Sequence, residues 1–236
     1  MAHYTNQYGQ PIGQPLDWQE RPFPQRESFV GQYCRLEPFS MANHADALFA
    51  AYSQAKDDRD WTYMAVGPFN TMQDWLKNAA LMEGSRDPLH FTVIDLQTDK
   101  PVGSLALMRI EPRHGVVEVG HVAFSPLLKQ TRMATEAHYL LMRYVFAQLG
   151  YRRYEWKCDS CNEPSRRAAL RLGFSYEGEF RQAIVYKGRS RDTSWFSVID
   201  GEWPQVKNAF ERWLNRDNFG ADGKQHEKLE ALRIHE

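Results

Sequence analysis

Glu118 is the residue whose type and setting most invite chemistry: it stands between Val117 and Val119 in the run GVVEVGHVAF, a carboxylate in an otherwise apolar segment. A half-buried carboxylate has a raised pKa and takes a proton at neutral pH, which is the equipment of a general base. An outward-facing glutamate on strand alternation fits the same letters. Two residues on, Gly120 weakens a strand interior and marks either a twist point or a bulge, and a bulge frees backbone N–H groups toward a ligand carbonyl. His121 has an ordinary pKa suited to the same proton transfer, but alternation sets it on the face opposite Glu118 and Gly120 unless a bulge intervenes.

The segment SPLLKQTR leads from this run to a long helix opening at about Met133. Helix N-termini carry unpaired N–H groups and partial positive charge, so the junction suits a phosphate or pyrophosphate, and Lys129 and Arg132 add cationic side chains beside it. Asn162-Glu163-Pro164-Ser165 opens a short helix, where Asn at the N-cap and Pro in the first turn are helix punctuation as much as chemistry. Arg166, Arg167 and Arg171 behind it form either a solvated face or a set of phosphate contacts. Cys158 and Cys161 stand as C-D-S-C, with no second such pair and no nearby histidine to complete a zinc site; reduced thiols ending a strand are expected, and no metal.

These residues need elements to hold them. Tyr33 to Phe39 reads as a first strand, followed by amphipathic helices at about Asn43 to Ala55 and Thr71 to Glu83. His90 to Leu96, Pro101 to Ile110 and Gly115 to Phe124 are β-branched or alternating runs separated by turn residues, hence an antiparallel meander. Met133 to Gly150 repeats apolar residues at helical spacing and closes on a glycine. Then come a fifth strand, YRRYEWKC, the helix Asn162 to Leu172, the strands FSYEGEF and DTSWFSVID, and a helix from about Trp203 to Leu214. Residues 1–30 read as an irregular N-terminal arm, 31–215 as one mixed α/β domain, and 216–236 as a polar tail.

With 29 Lys and Arg against 30 Asp and Glu, the formal net charge is -1, so no global field draws the chain onto nucleic acid or anionic lipid. That counts against a nucleic-acid reading of Arg152, Arg153, Arg166, Arg167 and Arg171. The start, MAHYTNQYGQPIGQ, lacks an export pattern, and no apolar run approaches the ~20 residues of a membrane span, so a cytoplasmic protein without membrane contact is expected.

Taken together, VEVGHVAFSP, KQTRMATEA, NEPSRRAALRLGF and the closing WFSVIDGEW resemble the GNAT superfamily of N-acetyltransferases, in the branch similar to ribosomal-protein N-terminal acetyltransferases; the likeness covers roughly Tyr33 to Leu214. The resemblance implies an α/β, single-domain N-acetyltransferase fold: a mixed central sheet of about seven strands, splayed between strands 4 and 5, with flanking helices. It implies an acyl-CoA, most simply acetyl-CoA, as donor and a primary amine of a protein or peptide N-terminus or of a small molecule as acceptor. A non-catalytic acyl-CoA-binding module is the alternative, and a homodimer is one assembly the family allows. Val122 and Phe124 would make backbone contacts to the pantothenate arm. Lys129, Gln130, Thr131, Arg132, Met133, Ala134 and Thr135 map to the pyrophosphate loop, and Asn162 and Ser165 to the thioester end. Arg167 would reach the nucleotide phosphates, and Trp61, Tyr63 and Arg109 would line the acceptor pocket.

The loop departs from the family pattern, which runs Gln or Arg, two residues, Gly, one residue, Gly or Ala. Lys129 and Arg132 take the first and third of those places and only Ala134 fits, so strain is expected at Arg132, which adopts positive φ less cheaply than glycine. A free amine has a pKa near ~10.4 and must lose a proton before it attacks a thioester. Glu118 is the candidate base, directly or through a water, with Ser165 able to protonate the departing sulfur and a backbone N–H near His121 or Val122 meeting the developing oxyanion.

Overall fold

The computed structural model describes residues 4–233. A small hairpin, β1 (Tyr4–Thr5) and β2 (Pro11–Ile12), opens the chain and stands apart from the main sheet. The main sheet holds β3 (Phe29–Val30), β4 (Cys34–Pro38), β5 (Leu89–Asp95), β6 (Lys100–Glu111), β7 (Val116–Phe124), β8 (Arg153–Asp159), β9 (Ser175–Tyr186) and β10 (Arg189–Ile199). The helices are α1 (Met41–Tyr52), α2 (Met72–Gly84), α3 (Arg132–Arg143), α4 (Glu163–Arg171) and α5 (Trp203–Leu214). The strand order is β3-β4-β5-β6-β7-β8-β10-β9, which is the expected mixed α/β sheet with one extra edge strand, β3, contributed by the end of the N-terminal arm.

Among the described residues only β7 and β8 pair in parallel, and only over Val116↔Arg153 to Val119↔Trp156. Beyond that point the two strands part, so the splay falls where it was expected. The remaining residues of β7, Gly120 to Phe124, present that edge of their backbone to a gap.

The two faces of β8 are legible in its alternation. Tyr154, Trp156 and Cys158 point into the main core beneath α3 and α5, with Tyr154 and Trp156 against Phe174 at 5.8 and 5.6 Å. Arg153, Glu155, Lys157 and Asp159 lie on the opposite, front face. There α1 and α2 cover β5 and β6 through a second core of Phe39, Leu48, Trp75 and Ala79.

Helix α3 continues into a π-helical turn, Tyr144–Gln148, in which the Leu149 N–H reaches the Tyr144 carbonyl, before Gly150 closes it at φ 67°. Near its other end, Glu136 is buried, and its carboxylate accepts the backbone N–H groups of Gln32, Tyr33 and Cys34 at 2.6, 2.7 and 2.8 Å. The turn before β4 is therefore folded around a carboxylate. Gly31 allows the approach, since a Cβ there would sit inside the Glu136 carboxyl group.

The arm and the segment after α5 are both packed down. Trp18 donates from its indole to the Arg113 carbonyl at 2.8 Å, and Pro22 accepts from the Tyr151 hydroxyl at 3.2 Å. After α5, a strap folds back with Leu229 and Leu232 buried, and Arg233 donates to the carbonyls of Leu170 and Arg171 at the end of α4. The residues read as a polar tail, as far as Arg233, thus form a wall of the molecule; 234–236 lie outside the described residues.

Candidate active site

A cleft of about 1580 Å³ runs through the gap between β7 and β8. Ordinary ligand pockets hold about 300–1,000 Å³, so this one has room for a large ligand and a second one beside it.

Two bulges shape its walls. From Gly120 to Ala123, β7 takes three steps while β6 takes two from Ala106 to Ser104, and His121, at φ 48°, absorbs the extra residue. Gly120 therefore marks a bulge, and the bulge turns His121 into the cleft, where its ring meets that of His90 at 5.1 Å. The opposite-face position expected from simple alternation does not hold. On β6 the extra residue is Arg109, also at φ 48°, and the Asp87 carboxylate accepts the N–H groups of Arg109 and Ile110 at 2.8 and 3.1 Å. That clamp aims the Arg109 guanidinium at Glu118, with Nε 3.3 Å from Oε2.

Glu118 is 5 % exposed. Its Oε2 lies 3.0 Å from Lys157 Nζ, which also lies 2.6 Å from Glu155 Oε2; Arg153 then joins Glu155 to Glu177. Burial raises the Glu118 pKa, and the neighbouring Lys157 and Arg109 partly offset that rise. A carboxylate so placed is a stronger base than an exposed one. Lys157 itself rests over the Trp195 ring at 3.8 Å, and Trp195 stacks on Phe180 at 4.5 Å.

Sequence reasoning missed Lys157, Glu155 and Trp195. The signal was present in RYEWKCD, where every second residue is charged, but nothing in the letters says that this face is the reactive one.

At the far side of the gap, Thr131 caps α3 by accepting the Ala134 N–H at 3.2 Å while donating to the Leu128 carbonyl at 2.6 Å. The left-handed residue of this loop is Gln130, at φ 59°. Arg132 is the first residue of α3 and does not need positive φ, so the strain expected there is absent. Its guanidinium stacks over Phe219 at 4.1 Å. Lys129 reaches across the cleft to pair with Asp60, and Met133 packs against the core instead of facing the cleft. Val122, Phe124, Ala134 and Thr135 line the cleft.

Asn162 caps α4, with its side chain accepting the Ser165 N–H at 3.2 Å, and the Ser165 hydroxyl accepts from the Trp156 indole at 3.0 Å. Both residues face the cleft, and the Ser165 hydroxyl also hydrogen-bonds the Cys158 side chain. Arg167 does not face it: its side chain is 70 % exposed and lies near Glu163. Arg171, one turn on, lines the cleft instead and donates to Thr135 Oγ1 at 3.0 Å.

On the front side, the segment between α1 and α2 forms a roof. The Tyr63 hydroxyl donates to the Cys161 carbonyl at 3.1 Å, Lys187 donates to the Trp61 carbonyl at 2.8 Å, and Arg189 donates to the Thr62 carbonyl at 2.7 Å. Trp61 is wedged edge-on between Tyr52 and Phe69. The roof thus spans from α1 to the tip of the β9–β10 hairpin, with Trp61, Tyr63 and Arg109 around one end of the cleft, near Glu118.

His138 of α3 sits in the wedge of the gap, between Phe124 and Trp156 at 5.6 and 5.2 Å. Burial and the Arg171 charge push its pKa down to about 3; burial, His121 and Arg26 do the same for His90. Both sit below the ordinary value near ~6.5, so the unfolded chain takes up protons first as pH falls. Their stability contribution is complete above about pH 6.5 and is lost toward pH 3, by about 1.4 kcal/mol per pH unit for each group. Urea melts at pH 7.5 and pH 5 should show this loss, and His138→Leu should flatten its slope; equal midpoints at the two pH values would contradict it.

No cluster of three His, Cys, Asp or Glu side chains able to hold a metal ion occurs among the described residues, and no helix among them is long and apolar enough to cross a membrane.

A sheet opened between two parallel strands, with a capped helix start behind the opening and a buried carboxylate before it, is the architecture of an N-acetyltransferase. Residues 34–175 match the acetyltransferase (GNAT) domain family, more than half of the chain, and the chain belongs to that family. It is similar to a GCN5-related N-acetyltransferase from Brucella melitensis, at 47 % identity and a TM-score of 0.91 over 92 % of this chain and 98 % of that one. The uncharacterized N-acetyltransferase p20 of Bacillus licheniformis is 29 % identical over 164 residues, 67 % of this chain and 89 % of that protein. A putative ribosomal-protein-serine acetyltransferase from Vibrio cholerae shares the fold, at 22 % identity and a TM-score of 0.63 over 73 % of this chain and 97 % of that one.

Proposed function

We propose that the enzyme transfers an acetyl group from acetyl-CoA to a primary amine of a small molecule or of a flexible peptide N-terminus. The observation that carries this reading is the bulged, unpaired edge of β7 from Gly120 to Phe124, lying between the start of α3 and buried Glu118. That edge fits an extended amide-bearing arm, which would pair with it as another strand does, and the N–H groups opening α3 suit a pyrophosphate. Glu118 takes a proton from the acceptor ammonium, the free amine then attacks the thioester carbonyl, and a backbone N–H of the His121 bulge meets the charge that develops on the thioester oxygen. As the C–S bond breaks, the proton shed by the nitrogen of the new amide passes to the departing thiolate, with the Ser165 hydroxyl able to relay it.

The roof supports the acceptor class. A lysine on a folded protein surface would have to pass beneath Tyr63 and the Lys187 bridge, whereas a small amine or a chain terminus threads under them. The test is an acceptor panel of small amines, peptides with free N-termini and a lysine-rich folded protein, read by thiol release from acetyl-CoA. Release is expected with the first two groups only. Binding of acetyl-CoA without release across the panel would favour a non-catalytic binding module. Tyr63→Phe combined with Lys187→Ala should raise the acceptor KM about tenfold while leaving the acetyl-CoA KM unchanged; equal shifts in both would remove the roof from acceptor selection.

A further inference from the structure

The cleft does not end at the start of α3. It continues past Arg132 and Arg171 to Gly223 and Gln225 of the C-terminal strap, and these strap residues lie outside the region that matches the family.

Arg132 and Arg171 both line this part of the cleft and are both braced on aromatic rings. No carboxylate is in ion-pair contact with either among the described residues. Arg132 is braced over Phe219 at 4.1 Å and Tyr33 at 5.3 Å, and Arg171 over Trp213 at 4.9 Å with its hydrogen bond to Thr135. Aromatic faces hold a guanidinium in place and leave its N–H edge free, and that planar edge matches a phosphate bidentately.

The strap that supplies one of those faces is itself held. Phe219 pairs with Gln225 in an isolated bridge, the Gly223 N–H donates to the Gly220 carbonyl at 2.9 Å, and the Trp213 indole donates to Gln225 Oε1 at 2.7 Å. Gly223, at φ 77°, lets the turn come within reach of the Arg132 guanidinium. Burial depresses the Arg171 pKa, so a cation is kept there at a desolvation cost that an anion would relieve.

We infer that Arg132 and Arg171, set by the strap, form a subsite for a terminal phosphomonoester, the 3′-phosphate of coenzyme A. This rests on the coenzyme reading above, because a pyrophosphate at the α3 start leads the nucleotide end of the molecule toward the strap. The subsite selects coenzyme A over the otherwise identical dephospho-coenzyme, and the strap is a positioning element for it.

Calorimetry with coenzyme A and 3′-dephospho-coenzyme A on the intact protein tests this without any variant. Coenzyme A is expected to bind ten- to hundredfold tighter, and adenosine 3′,5′-bisphosphate to compete where adenosine 5′-monophosphate does not. In Arg171→Met and Arg132→Met the ratio should collapse toward one through loss of coenzyme A affinity alone, and Phe219→Ala should reduce it about fivefold, with melts confirming that each variant is folded. Equal affinity of the intact protein for the two ligands, or a ratio that survives both arginine variants, would overturn the subsite while leaving the coenzyme reading intact. Failure of both ligands to bind would instead overturn the coenzyme reading and the subsite with it.

Discussion

Glu118→Gln is expected to lower kcat by about 10²–10⁴-fold on a good amine acceptor, the usual worth of a positioned general base, with little change in the acetyl-CoA KM. The substitution is close to isosteric, and Lys157 keeps its contact with Glu155, so the fold should survive. With Glu118 as the proposed base, activity would require the ionised carboxylate, and because burial raises its pKa, kcat/KM of the parent is expected to rise with pH through that raised value. The glutamine variant should lose this limb and keep only the one belonging to the amine. His121→Ala is the informative control, because the bulge turns His121 into the same cleft with its pKa lowered by burial. A Glu118 variant within tenfold of the parent that keeps the limb, while the His121 variant loses it, would move the proton transfer to His121.

Glu136→Ala should cost about 3–5 kcal/mol, because it removes the acceptor for three backbone N–H groups at once in a partly buried turn. Against a total stability of about 5–15 kcal/mol this is a large share, and it corresponds to a Tm lower by about 10–15 °C. Glu136→Gln should fall between, since one of its two carboxamide heavy atoms is a donor aimed at donors. Gly31→Ala should be destabilising too, because its Cβ would displace the same carboxylate. A Glu136→Ala protein that melts within 1 kcal/mol of the parent would show that water replaces the side chain there.

Much of this could be read from the letters because local pattern and global fold agree over the central run. The meander, the α3 start and the parting of β7 from β8 follow from alternation, caps and the family motifs. Glu118 was found because a charge in an apolar strand is conspicuous. What was illegible depended on partners distant in sequence. Arg132 looked like a misfit in a glycine place, yet the left-handed turn sits two residues earlier at Gln130, and the side chain stacks on Phe219, far along the chain. The β9–β10 hairpin runs further than its apolar letters indicate because the Lys187–Gly188 turn, both residues at positive φ, lies inside a polar stretch. The strap was read as a tail because Phe219, Leu229 and Leu232 are too sparse to show a period.

The passage between β7 and β8 is lined by the strap at one end and by the roof at the other. Two reactants arriving from opposite sides need never queue at a common door. If the donor lies at the strap end and the acceptor under the roof, as proposed, spent thiol and new amide leave by different ends and neither must be cleared before the other can load.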